Sequence, residues 1–162
     1  MFKLAKILVV YDSKTSNTEK MAFAVVEGAR EVEDVIADAK KVDQTTLEYL
    51  HNADGIIMGS PTYYGQMSAK LKTLIDESVK IHGKLEGKVG AAFTSSGGTA
   101  TGAETTLLSI LQAMLVHGMI VQGRASDKHY GAAAVGSPQE KELAACKELG
   151  KRVANLVKKL KT

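Results

Sequence analysis

The stretch Val9 to Ala22, VVYDSKTSNTEKMA, decides how the rest of the chain is read. An apolar run stops at Asp12, a loop of hydroxyl, amide and lysine side chains follows from Ser13 to Thr18, and helical spacing then begins. Strand, polar turn and helix in that order form the repeating unit of an α/β domain. Within the turn, Ser16-Asn17-Thr18-Glu19 has the spacing of a capping box, in which Ser16 caps a backbone N–H and Glu19 reaches back. A cap needs one hydroxyl, however, and this loop offers Ser13, Thr15, Ser16 and Thr18 around a helix N-terminus. Free amides and the helix dipole favour an anion there, so cap and anion site can share one helix end.

Working outward, short apolar runs alternate with helical periodicity along the whole chain. The runs Lys6–Tyr11, Val35–Lys41, Gly55–Gly59, Val89–Thr94 and Met119–Gly123 read as strands, several of them almost continuous in Ile, Val, Leu or Ala. Continuous runs mark strands covered on both faces, as in a parallel sheet. Helical spacing covers Asn17–Glu31, Thr45–Asn52, Ser68–Lys80, Glu104–Val116 and a final segment near Pro138–Leu160. In that last segment Leu143, Cys146, Leu149, Val153, Leu156 and Leu160 recur at three- and four-residue steps, one stripe directed at the sheet. Five alternations predict a three-layer α/β/α sandwich with a doubly wound parallel sheet, and residues 1–162 read as a single domain.

Composition narrows the function classes. The 21 Lys and Arg are interspersed with 18 Asp and Glu for a net charge of +3, which is no nucleic-acid footprint. The lysines at 151, 158, 159 and 161, with Arg152, read as the solvated face of a terminal helix. One cysteine, Cys146, excludes an internal disulfide or thiolate zinc site and suits a reducing compartment. The apolar run Ile7–Val10 is too short for a signal peptide or membrane span, so a cytoplasmic location with no membrane partner is expected. His51, His82, His117 and His129 are dispersed, and no metal site is predicted; His117 reads as a cation finishing a helix.

Ligands of doubly wound sheets sit beyond the carboxyl ends of the strands, where strand order reverses. Beyond the third strand comes Gly59-Ser60-Pro61-Thr62-Tyr63-Tyr64-Gly65-Gln66-Met67, which holds two of the five tyrosines. Such a pair suits stacking on a flat ring, unless one tyrosine folds back over the core. Beyond the fourth strand comes Thr94-Ser95-Ser96-Gly97-Gly98-Thr99-Ala100-Thr101-Gly102, small enough for backbone to approach a heterocycle edge. No spaced dinucleotide fingerprint or Walker loop is present. The acidic cluster and lysine of a signalling receiver domain are replaced by Gly59-Ser60 and Gly123-Arg124.

Taken together, these loops resemble the flavodoxin-like FMN-binding proteins, particularly their WrbA-type branch. The likeness runs from Ser13–Thr18 through Ser60–Met67, Phe93–Gly98 and Gly102–Thr106 to His117-Gly118-Met119 and Tyr130-Gly131-Ala132. It implies a five-stranded sheet of order 2-1-3-4-5 and FMN as cofactor. Its phosphate would lie on Ser13, Lys14, Thr15, Ser16, Asn17 and Thr18. Its ring system would lie between Pro61, Thr62, Tyr63, Tyr64 and Gly65 on one side and Ser95, Ser96, Gly97, Gly98 and Thr99 on the other. No catalytic acid or base is implied, since the flavin carries the redox chemistry. His129-Tyr130 is expected near the flavin edge.

The sequence departs from the family at Ser16, usually glycine in flavodoxins, and at Val116, which replaces the first of a histidine pair. The segments Ile81–Gly87 and Arg124–Tyr130 are short and lack tryptophan. The short loops favour an electron-transfer protein with a redox partner protein, while Ser16 bears on the geometry of phosphate contact. An NAD(P)H:quinone oxidoreductase of the WrbA type is the alternative, and an interaction module without flavin a distant third. A homo-oligomer is left open.

Overall fold

The computed structural model describes residues 3–162. Its elements are β1 (Ala5–Tyr11), α1 (Asn17–Arg30), β2 (Val35–Lys41), α2 (Leu47–Asn52), β3 (Gly55–Pro61), α3 (Ala69–Glu77), β4 (Val89–Ser96), α4 (Ala103–Val116), β5 (Ile120–Val121), β6 (Ala132–Val135) and α5 (Glu140–Lys161). All strand pairs are parallel, in the order β2-β1-β3-β4-β5. The expected sheet order and layering are those observed.

The fifth place in the sheet is shared by two short strands. Ile120–Val121 pairs with Val89–Gly90, and Ala132–Val135 pairs with Phe93–Ser96, so the expected strand Met119–Gly123 is interrupted after two residues. The chain between them leaves the sheet edge at the level of Ala91–Ala92 and is closed on itself. His129 Nδ1 lies 2.7 Å from the Arg124 carbonyl oxygen, and Arg124 pairs with Asp127 at 2.8 Å. His129 and Tyr130 therefore sit at the side of the sheet, not at its carboxyl end, which corrects the expected placement.

Alternation along the strands divides the interior in two. Val9, Ile57 and Phe93 face α1 and α5, where they meet Met21, Val25, Cys146 and Val153. Val10, Ile56 and Met58 face the other way, towards Leu50, Leu71, Ile110 and Met114. Each such side chain contributes about 1.5–3 kcal/mol by leaving water, far more than intrinsic helix propensity supplies, so packing holds these helices in place. The helices α1 and α5 approach closely because Gly28 and Gly150 have no side chain: an added Cβ on either would lie 1.9 Å from a carbonyl oxygen of the facing helix. Cys146 is buried as expected, and burial pushes its thiol up to about 12. Leu160 departs from the predicted stripe and is exposed, since α5 outruns the sheet in its last turn.

Register brings three loops to one edge. Tyr11 pairs with Gly59, Ser60 with Thr94 and Pro61 with Ser95, so β1, β3 and β4 end side by side. The order reverses between β1 and β3, and the crevice of a doubly wound sheet opens there.

Candidate functional site

The loop between β1 and α1 is turned by Ser16, whose φ of 69° and ψ of 0° are left-handed. A side chain in that conformation is strained, and glycine adopts it freely. The expected capping box does not form: Ser16 makes no side-chain cap, and Glu19 does not reach back. Instead Ser13 Oγ accepts from Glu19 N at 3.2 Å, while the Glu19 carboxylate accepts from Tyr11 Oη at 2.8 Å and lies 3.9 Å from Lys41 Nζ. The phenol of Tyr11 is buried and requires an acceptor, and it draws Glu19 away from the loop. Burial, then the bond to Glu19 and its charge, push Tyr11 up to about 12. Among the described residues, no hydrogen bond engages the amides of Asn17 and Thr18, and the hydroxyls of Thr15 and Ser16 face solvent. The helix start is thus a set of open neutral donors.

Beyond β3, Tyr63 and Gln66 exchange two backbone hydrogen bonds of 3.0 Å around Tyr64 and Gly65, with φ of 50° and 76°. Two consecutive positive φ values define the tight primed hairpin turn. Neither tyrosine folds over the core: Tyr63 is 41% exposed and Tyr64 projects fully into solvent. The turn rests on the start of α4. A Cβ added to Gly102 would lie 2.6 Å from Gly65 Cα, and Met67 N donates to Ser109 Oγ at 3.3 Å.

Beyond β4, Ser96 Oγ and Thr101 Oγ1 both donate to the Gly98 carbonyl, at 3.0 and 2.8 Å. This leaves Gly97 and Thr99 exposed. Gly136, just after β6, donates to the Ser96 carbonyl at 2.8 Å and closes the far side.

Buried hydroxyls join the three loops. Thr18 Oγ1 and Ser95 Oγ are 2.8 Å apart. Thr94 Oγ1 donates to the Ser60 carbonyl at 2.7 Å, so at its 2.8 Å contact with Thr62 Oγ1 it is the acceptor. Thr62 N donates to the Ser95 carbonyl at 2.7 Å, and Ser60 Oγ accepts from Ser68 N at 2.8 Å. All sixteen predicted site residues therefore lie at one edge, in two roles. Lys14, Thr15, Ser16, Tyr63, Tyr64, Gly97 and Thr99 are exposed, whereas the side chains of Thr18, Ser95 and Ser96 are buried in the floor. Sequence reading missed Ser60, Ser68, Thr94 and Ser109 as parts of that floor. Its signal was present: hydroxyl residues where apolar strands end.

At the opposite end of the sheet, His117 ends α4 and its ring lies 5.6 Å from that of His82. Ser78 Oγ donates to the Ile75 carbonyl and so accepts from His117 Nε2 at 2.7 Å. His117 Nδ1 is buried without a partner. Burial, then His82, lower the His117 pKa, so its ring is not the expected cation.

Comparison with known proteins agrees with this architecture. A protein named flavodoxin from Aquifex aeolicus is 41% identical over 95% of this chain and 88% of its own. A protein named NAD(P)H dehydrogenase (quinone) from Archaeoglobus fulgidus is 39% identical over 97% of this chain and 100% of its own. The solved structure of a flavodoxin, WrbA-like protein from Agrobacterium tumefaciens superposes with a TM-score of 0.83 at 29% identity, covering 96% of this chain and 98% of that one. Residues 5–130 match the family model described as NADPH-dependent FMN reductase, and with these relatives and this fold the chain belongs to that flavodoxin-like, FMN-binding family.

Proposed function

We propose that this chain holds FMN at the edge formed by its three loops and transfers electrons through it to and from a redox partner protein. FMN supplies one- and two-electron redox chemistry. The observation that carries the reading is the open N-terminus of α1, where the Asn17 and Thr18 amides meet the hydroxyls of Thr15 and Ser16 without a competing carboxylate. That donor set fits a phosphate monoester, because amides, hydroxyls and the helix dipole together neutralise a dianion without a cation in contact. Lys14 adds positive charge beside it.

Tyr63, Tyr64 and the exposed backbone of Gly97–Thr99 would flank the ring system. The peptide groups of the Tyr64–Gly65 turn would lie against the flavin's central edge. The backbone at Gly97 and Gly98 would face the pyrimidine edge, where its crowded neutral dipoles would disfavour negative charge. No side chain at this edge is required as an acid or base. Titration of the apoprotein with FMN, followed by quenching of flavin fluorescence, tests the assignment. One equivalent is expected to bind, and no binding at millimolar FMN would overturn it.

NAD(P)H:quinone reduction is the second reading, favoured by the names of relatives such as the Archaeoglobus protein. The aligned length speaks for the carrier. That comparison runs over 191 positions although this chain has 162 residues, so at least 29 positions have no counterpart here; the Aquifex flavodoxin aligns over 162. Anaerobic mixing of the FMN-loaded protein with NADPH and a quinone separates the two. Sustained turnover identifies the enzyme, and exchange with a protein partner without NADPH oxidation identifies the carrier.

A further inference from the structure

Glu19 belongs to the first turn of α1, within reach of the open donors there, yet its carboxylate does not meet them. At the third position of a helix, glutamate ordinarily reaches back to the N-cap amide, and the macrodipole draws its charge the same way. Both pulls are overruled by Tyr11 Oη, which donates to the Glu19 carboxylate at 2.8 Å, with Lys41 Nζ 3.9 Å from the same oxygen. Tyr11 and Lys41 are register partners at the ends of β1 and β2, so two adjacent strand ends hold the carboxylate.

Packing alone does not call for the Tyr11 hydroxyl. The residue is 4% exposed, and its ring meets Phe23 edge-on with centroids 6.1 Å apart. Phenylalanine would fill that space with no polar group to satisfy. Because the phenol is pushed up to about 12, chiefly by burial, it remains a donor to Glu19 at neutral pH. Ser16 completes the arrangement. A capping box needs an extended N-cap residue, and Ser16 is left-handed, with a φ of 69°. Displaced carboxylate and left-handed turn are two halves of one state, which leaves the Asn17 and Thr18 amides without protein partners among the described residues.

On the reading of the three-loop edge as an FMN site, we propose that Tyr11 is a positioning residue for the phosphate: its hydroxyl holds Glu19 off the helix N-terminus and so sets the preference for phosphorylated over unphosphorylated flavin. Released from Tyr11, Glu19 would turn back to the helix start as Ser16 returned to an extended backbone. Its charge would then occupy the donors that a dianion needs. Carboxylate and phosphate cannot share them, because like charges in contact repel.

Titrations of the apoprotein with FMN and with riboflavin, followed by flavin fluorescence, provide the test. The parent should favour FMN. Tyr11→Phe should lower FMN affinity by roughly tenfold or more, the equivalent of one hydrogen bond to a charged group, and leave riboflavin affinity unchanged. Removing the carboxylate as well, in Tyr11→Phe with Glu19→Ala, should restore the preference for FMN. Glu19→Ala alone should bind FMN at least as tightly as the parent, and this arm keeps the test decisive if circular dichroism shows that Tyr11→Phe does not fold. Equal weakening of FMN and riboflavin by Tyr11→Phe, or parental FMN affinity in that variant, would overturn the proposal. So would a double variant without recovery, or weaker FMN binding by Glu19→Ala. A parent with no preference for FMN over riboflavin would instead sink the phosphate reading of the site, and the role of Tyr11 with it.

Discussion

Thr18 Oγ1 and Ser95 Oγ lie 2.8 Å apart and out of solvent, linking the first turn of α1 to the end of β4 across 77 residues of sequence. The contact joins the proposed phosphate end of the site to its ring end. Thr18→Val keeps the shape and removes the hydroxyl, leaving Ser95 Oγ buried without this partner, a loss of about 1–3 kcal/mol. Urea unfolding of the apoprotein should show it. Because α1 then shifts relative to β4, FMN affinity should also fall, by roughly tenfold for each 1.4 kcal/mol of lost alignment. The double variant with Ser95→Ala should be less damaged than the sum of the single variants, as groups in direct contact are not additive.

Gly102 positions the turn that carries Tyr64. Its φ is 108°, and a Cβ there would lie 2.6 Å from Gly65 Cα and 3.1 Å from Gly65 N. Gly102→Ala therefore meets left-handed strain and a backbone clash together. A loss of about 1–3 kcal/mol in stability is expected, as for other overpacked sites. The turn must move away from α4, so FMN affinity should drop further than the stability change alone would produce. Equal FMN affinity in parent and variant would show that the turn has no part in binding.

The same two loops show what could be read in advance. Strand positions were legible because β3 and β4 are continuous apolar runs, and the loops followed from where those runs end. The split at the fifth place was not legible: Ala132–Val135 is a weak strand by composition, and only its pairing with Phe93–Ser96 creates it. The capping box at Ser16 and Glu19 failed because local spacing ignores the buried Tyr11 phenol, which competes for the carboxylate from eight residues away. Hydroxyls such as Thr94 and Ser60 look like loop residues in sequence. Their partners are 34 residues apart, and no local pattern records that distance.

Ser16 occupies the left-handed position at the start of α1. A non-glycine residue there costs about 1–2 kcal/mol, against roughly 0.4–1 kcal/mol gained by restricting the unfolded chain. Ser16→Gly should therefore stabilise the protein by about 0.5–1 kcal/mol, read as a higher thermal midpoint. FMN affinity should change little if Ser16 contributes its backbone amide, and should fall if its hydroxyl is the ligand. The variant thus assigns the contact.

His117 makes stability depend on pH. Its folded-state pKa lies below the ordinary value of 6.5, mainly through burial and secondarily through His82, and its Nδ1 has no partner to receive a proton. Between the lowered value and 6.5 the unfolded chain binds more protons than the folded one, so stability rises with pH in that window. The thermal midpoint should therefore decline as pH falls from about 7 towards 5.5. His117→Gln keeps an N–H for Ser78 and removes the titration, and its decline over this range should be shallower than that of the parent. Identical slopes would place the pH response elsewhere.

Tyr64 offers the cleanest separation of stability from binding. Its side chain is fully exposed at the tip of the turn, with a φ of 50°, so the fold gains little from its ring. Tyr64→Ala should leave urea unfolding of the apoprotein within about 0.5 kcal/mol of the parent, as for other surface substitutions. A residue stacked on a planar ring contributes about 0.5–1.5 kcal/mol beyond its buried area, so FMN affinity should fall several-fold or more. Tyr63→Ala, at a residue whose backbone closes the turn through two hydrogen bonds, tells the two flanking rings apart. If only Tyr64→Ala weakens FMN while both apoproteins stay stable, the exposed ring is the stacking partner; unchanged binding in both would move the flavin away from this turn.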